Sequence, residues 1–130
     1  MSDNHTRLAP SQAVHTVDGT TIVALHGEID LVTAMPLAAC LDALASGPRP
    51  DLVVDLRPVS FIDCSGLGVL CRTRNRVLAR HGRLRLVIGS RRVLRILRAA
   101  GLSGVFEVHP DLSRALGRAP TVDASPVALG

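Results

Sequence analysis

The chain has 130 residues, which is enough for one ordinary hydrophobic core and too few for two of that size. Its apolar share of 47% is typical of a globular protein, and no apolar run approaches the roughly 20 residues that cross a bilayer. The formal net charge is +4, and the chain has 15 arginines and no lysine. This charge would suit an anionic partner. Two phenylalanines without tryptophan or tyrosine supply almost no stacking surface for bases, and we expect no nucleic-acid partner.

The first predicted strands form a hairpin, because Asp18-Gly19 separates two strand-like runs over residues 13–17 and 20–26. Residues 1–12 are expected to be a loose N-terminal segment, since they are polar and show no period. Residues 118–130 mix proline, alanine and glycine and are expected to be a loose tail. The predicted domain therefore spans residues 13–117.

The first helix is predicted over residues 31–45, where leucines recur at helical spacing and Gly47-Pro48 supplies a stop. Residues 51–56 follow as a short strand that ends at Arg57-Pro58. Its consecutive apolar residues are typical of a central strand buried on both faces. The leucines that define the helix are Leu37, Leu41 and Leu44.

The second helix is predicted over residues 65–81, with Gly82 as a left-handed cap at its end. Arg74 falls within its apolar stripe, where it either extends past the core to solvent or contacts a partner. The residues expected to face inward are Leu67, Leu70, Cys71, Val77 and Leu78.

The third helix is predicted to begin after Ser90, a suitable N-cap, and to end at Gly101; a strand over residues 83–88 precedes it. A strand over residues 105–108 and a short helix over residues 112–116 complete the domain. The residues of the third helix expected inside are Val93, Leu94, Ile96 and Leu97, and those outside are Arg91, Arg92, Arg95 and Arg98.

Strands and helices thus alternate after an opening hairpin, which predicts an α/β fold. We expect a mixed, mostly parallel sheet of about five strands with about four helices. Binding sites in such folds lie where strands end and the next helices begin. Residues 27–33 and 61–68 are the loops that meet this description.

The second loop places Asp63, Cys64 and Ser65 at a helix start, where unpaired N–H groups and the helix dipole favour negative charge. Phosphorylation of a hydroxyl there would add roughly −1.5 to −2 charge beside Asp63. The same residues also fit a purely structural role. Asp63 or Ser65 would then be an N-cap, and Gly66 and Gly68 would pack closely against the sheet.

Three segments carry a resemblance to a known family: Gly27-Glu28-Ile29-Asp30, then Asp63-Cys64-Ser65-Gly66-Leu67-Gly68 after the strand, then Gly101-Leu102. With these segments in this order, the chain resembles the anti-sigma factor antagonists of the STAS family. The resemblance implies a STAS-like fold and a protein that binds an anti-sigma factor, an ATP-dependent serine kinase, so that a sigma factor is released. It assigns Asp30 to kinase contact and residues 63–68 to partner binding, and it allows a phosphatase as a further partner.

One residue departs from the family motif, because this chain has Cys64 at the position where the motif has its phosphorylated serine. Three interpretations stay open: binding without a switch, phosphorylation of the adjacent Ser65, or regulation elsewhere, including redox sensing by Cys64. If phosphate is added, we predict Ser65 as the acceptor. The alternative function is a STAS scaffold or interaction subunit of a larger transport or stress-signalling complex without a phosphoswitch.

No enzymatic motif, metal site or cofactor site is predicted. Leu70 stands where a cysteine phosphatase would need arginine after Cys64, and no phosphate-binding glycine loop is present. The cysteines lack C-x-x-C spacing and the histidines lack ligand spacing. The first residues show no export signal, so we expect a cytoplasmic protein without membrane association.

The arginines are unevenly distributed, because the ten between Cys64 and Phe106 have no acidic residue among them. Either they only solvate the outer faces of helices, or they form a face that docks an acidic partner.

Overall fold

The computed structural model describes residues 12–117, which form seven strands and four helices. The strands are β1 (Gln12–Val17), β2 (Thr20–Leu25), β3 (Gly27–Ile29), β4 (Asp51–Asp55), β5 (Val59–Ile62), β6 (Arg83–Val87) and β7 (Glu107–His109). The helices are α1 (Leu31–Leu44), α2 (Cys64–Ala79), α3 (Arg91–Ala99) and α4 (Leu112–Ala115). The loose segments predicted for residues 1–12 and 118–130 lie outside the described residues, apart from Gln12, which begins β1.

Five strands form the main sheet in the order β1-β2-β4-β6-β7, and only the β1–β2 hairpin in it is antiparallel. The predicted mixed, mostly parallel sheet with four helices is confirmed. β4 is the central strand, as its uninterrupted apolar run predicted, and Leu52, Val53 and Val54 are at most 1% exposed.

Helices cover the two faces of the main sheet unequally. α1, α2 and α3 pack on one face around Val23, Val54 and Leu86. α4 closes a smaller apolar cluster on the other face, which contains Ile22 and Val53. Neighbouring strand residues alternate between these faces, so each central strand contributes to both clusters. Within residues 12–117, every helix is too short or too polar to cross a membrane.

The face of the sheet that α4 covers contains a buried charge, Arg85, which is 3% exposed. Its guanidinium donates hydrogen bonds to the Asp51 carboxylate and to the carbonyl oxygen of Ala115 in α4. The alternation over residues 83–88 places Arg83 on the same face, but α4 covers only Arg85. Arg83 stays exposed and donates to Glu107, and Arg83 together with His109 lowers the pKa of Glu107 to about 2.

The sequence missed β3 and β5, which pair with each other in a separate parallel two-stranded sheet. Each has only three or four residues, too few for a recognisable strand pattern. The last strand begins at Glu107, two residues later than predicted, because Phe106 turns into the core.

The prediction that Gly82 ends α2 as a left-handed cap was wrong. The left-handed residue is His81, with φ 61°, and not Gly82. Gly82 is needed for a different reason, because a Cβ there would overlap the carbonyl oxygen of Pro50. At the start of α3 the prediction is confirmed, since the Ser90 hydroxyl accepts from the N–H groups of Arg92 and Val93.

Two leucines predicted to face inward are exposed, Leu78 at 48% and Leu94 at 38%. Each follows a buried valine in its helix and lies about 100° further round the helix axis, outside the narrow contact with the sheet. Thr73 is buried in α2 instead, and Arg74 is partly exposed on the rim of a depression that Phe106 also lines.

Candidate functional site

The start of α2 lies in the loop that the sequence singled out, and Asp63 is its N-cap. Its Oδ1 accepts hydrogen bonds from the N–H groups of Ser65 at 2.9 Å and Gly66 at 3.2 Å. The capping interpretation is therefore confirmed, with Asp63 and not Ser65 as the cap. The chain's own carboxylate supplies the negative charge that this helix start favours, so a second anion there would be repelled by Asp63.

The start of α1 repeats this geometry with Asp30 as its N-cap. Asp30 Oδ1 accepts from the N–H groups of Val32 at 3.0 Å and Thr33 at 3.1 Å. Thr33 Oγ1 accepts in return from the Asp30 N–H at 2.9 Å, which completes a capping box. The hydrogen bond from the Thr33 backbone is the main reason that the pKa of Asp30 is lowered.

The parallel pair β3–β5 holds the two helix starts side by side. Ile29 and Ile62 are in register, and each directly precedes a capping aspartate. The Asp63 N–H donates to the Ile29 carbonyl oxygen at 3.0 Å, which ties one loop to the other. The two loops chosen from the sequence, residues 27–33 and 61–68, thus form one surface.

An ion pair fixes the turn that leads from β4 into β5. Arg57 donates through Nε at 2.9 Å and Nη2 at 2.8 Å to the two carboxylate oxygens of Asp55. Burial alone would raise the pKa of Asp55, but these bonds and the Arg57 N–H hold the pKa below its usual value. Because β5 follows at once, this pair helps to position the start of α2.

The two glycines of the motif have different roles. Gly66 is buried, and a Cβ there would lie 2.7 Å from carbon atoms of both Ile29 and Ile62. Gly68 is exposed and faces open space. The predicted close packing is confirmed for Gly66 and wrong for Gly68. Leu67, at 8% exposed, belongs to the core.

Alanine substitutions at these glycines should change stability in opposite directions. Gly66→Ala should lower the free energy of unfolding by about 1–3 kcal/mol, because Ile29 and Ile62 must move. Gly68→Ala should raise it by about 0.5–1 kcal/mol, because an exposed helical glycine gains helix propensity. Urea unfolding followed by circular dichroism measures both changes. A Gly68→Ala protein less stable than the parent would contradict this packing.

An exposed apolar cluster beside Asp30 was missed by the sequence analysis. It consists of Leu31 at 69% exposed, Val32 at 69% and Met35 at 71%, all near the start of α1. These residues lie outside the buried stripe of α1. The sequence feature that could have revealed them is that α1 has more apolar residues than one buried face can hold. Such clusters mark interaction sites in soluble proteins.

The exposed thiol of Cys64 stands at the first position of α2. Cys40 and Cys71 are free and half-buried, and burial raises the pKa of Cys40. Among residues 12–117, no three His, Cys, Asp or Glu side chains come together as metal ligands. The site thus consists of two capped helix starts beside an exposed apolar cluster.

A small, mostly parallel sheet with helices on both faces defines an α/β domain. The chain belongs to the STAS domain family, whose model matches residues 11–115. It is 35% identical over 86 residues to the anti-sigma-B factor antagonist of Bacillus subtilis, a match that covers 66% of this chain and 78% of that protein.

Two solved structures show how far the similarity extends. An anti-sigma factor antagonist from Mycobacterium paratuberculosis superposes with a TM-score of 0.75 at 32% identity, over 82% of this chain and 90% of that one. The antagonist SpoIIAA in its unphosphorylated form gives a TM-score of 0.61 at 17% identity, over 92% and 98% of the two chains, which shows the fold alone.

Proposed function

We propose that this chain is an anti-sigma factor antagonist, a cytoplasmic regulatory protein that acts by binding and not by catalysis. It binds an anti-sigma factor of the ATP-dependent serine kinase type, and the sigma factor that this kinase held is released. The observation that carries the proposal is the surface made by the Asp30 and Asp63 helix starts with the apolar cluster. The similarity to the Bacillus subtilis antagonist supports the same role.

The apolar cluster is the main source of binding energy in this proposal. Complete burial of a leucine, valine or methionine side chain contributes about 1.5–3 kcal/mol, and three such side chains are exposed here. Asp30 and Asp63 lie beside them and orient a partner that presents basic or N–H groups. Such a partner displaces the sigma factor if the two compete for one surface of the kinase.

The residues of the motif contribute in two ways. Gly68 has no side chain and is exposed, so a partner backbone can approach α2 closely there. Cys64 and Ser65 lie at the helix start, where they can contact the partner directly. Gly66 and Leu67 are buried and act by holding α2 against Ile29 and Ile62.

For regulation, Ser65 is our candidate phosphate acceptor, because it has the only hydroxyl group in residues 63–68. A phosphate on Ser65 would lie close to the Asp63 carboxylate and repel it, and its bulk and strong hydration would keep the partner from close contact with the helix start. A phosphatase would then restore binding. A constitutive antagonist without this switch is the alternative.

The charge of Asp30 can be separated from its capping role. Asp30→Asn should weaken kinase binding about tenfold with little change in thermal stability, since asparagine caps helices as well as aspartate does. Asp30→Ala should weaken binding and also lower the melting temperature. Titration calorimetry with purified anti-sigma kinases from the same genome measures the affinity, and release of sigma factor from its kinase complex measures the function.

Asp111→Asn is the matched control, because Asp111 caps α4 on the opposite face of the sheet. It changes one charge and one cap in the same way and should leave the affinity within about twofold. Unchanged affinity in Asp30→Asn would remove Asp30 from the site. A chain that binds no anti-sigma kinase but co-purifies with a multi-subunit assembly would instead be a scaffold subunit.

A further inference from the structure

The outer face of α3 carries four arginines within nine residues: Arg91, Arg92, Arg95 and Arg98. None of them forms an ion pair with an acidic side chain in the described part of the chain. Two arginines on α2 differ, since Arg72 and Arg76 both pair with Asp42, at 3.0 Å and 3.5 Å. The charge of α3 is therefore left without compensation inside the fold.

This arrangement opposes the stability of α3. Arg91 and Arg92 occupy its first turn, where the helix dipole favours acidic residues, and that turn contains none. Arg91 and Arg95 are four residues apart on one face and repel each other. A local arrangement that lowers stability without a compensating contact is expected at functional surfaces.

The side chains of α3 form a patterned surface. Arg91, Leu94, Arg95 and Arg98 line one shallow depression of about 370 Å³. With a rise of about 1.5 Å per residue, the arginines extend over about 10 Å of the helix. Leu94 is 38% exposed and lines the same depression beside the arginines. These four residues are named the α3 basic surface.

We propose that the α3 basic surface is a second docking site, which binds a helical segment of a partner protein. The segment carries carboxylates spaced as the arginines are, at i, i+4 and i+7, around an apolar residue that contacts Leu94. Guanidinium groups suit this partner, because their planar forks bind carboxylates through paired hydrogen bonds. The site goes beyond the proposed function, since it uses neither helix start nor the apolar cluster.

The same surface fits other polyanions less well. Binding to a membrane needs several apolar side chains that insert into the lipid, whereas the α3 basic surface exposes only Leu94. A nucleic-acid backbone would use the arginines but gain little from an apolar residue between them. The combination of spaced guanidinium groups with one leucine matches an amphipathic acidic helix best.

The test uses a labelled helical peptide of about 15 residues, with glutamates at i, i+4 and i+7 around a leucine. A second peptide of the same composition has the glutamates spread around the helix. Fluorescence anisotropy at about 0.15 M salt limits long-range attraction. We expect the full chain to bind the patterned peptide about tenfold more tightly than the spread one.

Two double variants form a matched pair, because each removes two arginines. R91Q/R95Q should weaken peptide binding about tenfold, whereas R72Q/R76Q should change it less than about twofold. Leu94→Ala should weaken it about threefold. Circular dichroism confirms that each variant is folded, and R91Q/R95Q should be at least as stable as the parent.

Equal losses in the two double variants would overturn the proposal, because net charge alone would then explain binding. Equal affinity for the two peptides would also overturn it. Tighter binding of a short DNA duplex or of phosphatidylserine vesicles than of the patterned peptide would replace the acidic protein partner with that polyanion. Asp30→Asn should bind the peptide as the parent does, so this test is independent of the anti-sigma proposal.

Discussion

Asp51→Ala should lower the free energy of unfolding by about 3–5 kcal/mol, because it leaves the buried guanidinium of Arg85 without its carboxylate. Arg85 is 3% exposed and lies among apolar residues under α4. Its Nε already lacks a hydrogen-bond partner, and only the Ala115 carbonyl would remain as an acceptor. The substitution also removes the hydrogen bond of 2.8 Å that the Thr20 hydroxyl donates to Asp51.

Removal of the other partner should cost far less. Arg85→Leu removes the buried charge and adds an apolar side chain next to Val53, its neighbour in register on β4. Asp51 then keeps Thr20 and reaches water, since its side chain is 39% exposed. We expect a change of at most about 1–2 kcal/mol in either direction, as is found when buried ion pairs are replaced by apolar groups.

A double-mutant cycle measured by urea unfolding tests this asymmetry. Asp51→Ala combined with Arg85→Leu should be about as stable as Arg85→Leu alone, because the double variant has no buried guanidinium left without a carboxylate. Equal losses in the two single variants, or additive losses in the double variant, would contradict the burial of Arg85 under α4. The three proteins differ at positions remote from the two helix starts, so kinase binding should persist where they fold.

The sequence predicted the elements whose patterns are long or chemically distinct. β4 could be placed at the centre of the sheet because Leu52, Val53 and Val54 are apolar without alternation. The start of α2 could be placed because Asp63 and the glycines after it form a capping motif. In both cases the controlling interactions are local, or they depend on burial that a few consecutive residues reveal.

The features that the sequence did not reveal depend on contacts between distant segments. β3 and β5 exist through their pairing with each other, and that pairing alone brings Asp30 next to Asp63. Gly66 and Gly68 look equivalent in the sequence, yet only Gly66 meets Ile29. The exposure of Met35 could not be read from periodicity, because α1 is apolar on both sides.

The cap of α2 does not depend on the side chain of Cys64. The Asp63 carboxylate caps α2 through the N–H groups of Ser65 and Gly66, and no side-chain atom at position 64 takes part. A change of this side chain therefore alters the surface while the helix remains in place. In the proposed function, docking and its regulation are separable for this reason, and a charge at position 64 tests the proposed surface directly.

Cys64→Asp should weaken binding to the anti-sigma kinase about 100-fold, which corresponds to about 2.7 kcal/mol. The new carboxylate would lie beside Asp63 on the exposed surface, where the two like charges repel each other and docking must desolvate both of them. The domain should remain folded, because an acidic residue in the first turn of a helix is favourable. Titration calorimetry measures the affinity, and circular dichroism measures the stability.

Cys64→Ser is the matched neutral control and should bind within about twofold of the parent. It also places a hydroxyl at the exposed position that the family resemblance assigns to a phosphorylated serine. After incubation with the kinase and ATP, peptide mass mapping should find phosphate on Ser65 in the parent chain and also at position 64 in the variant. A parent chain that stays unlabelled while Cys64→Ser is labelled would make the protein a constitutive antagonist. A phosphate at either position repels Asp63 and adds a charge that docking must desolvate, so each phosphorylated form should lose kinase binding as Cys64→Asp does.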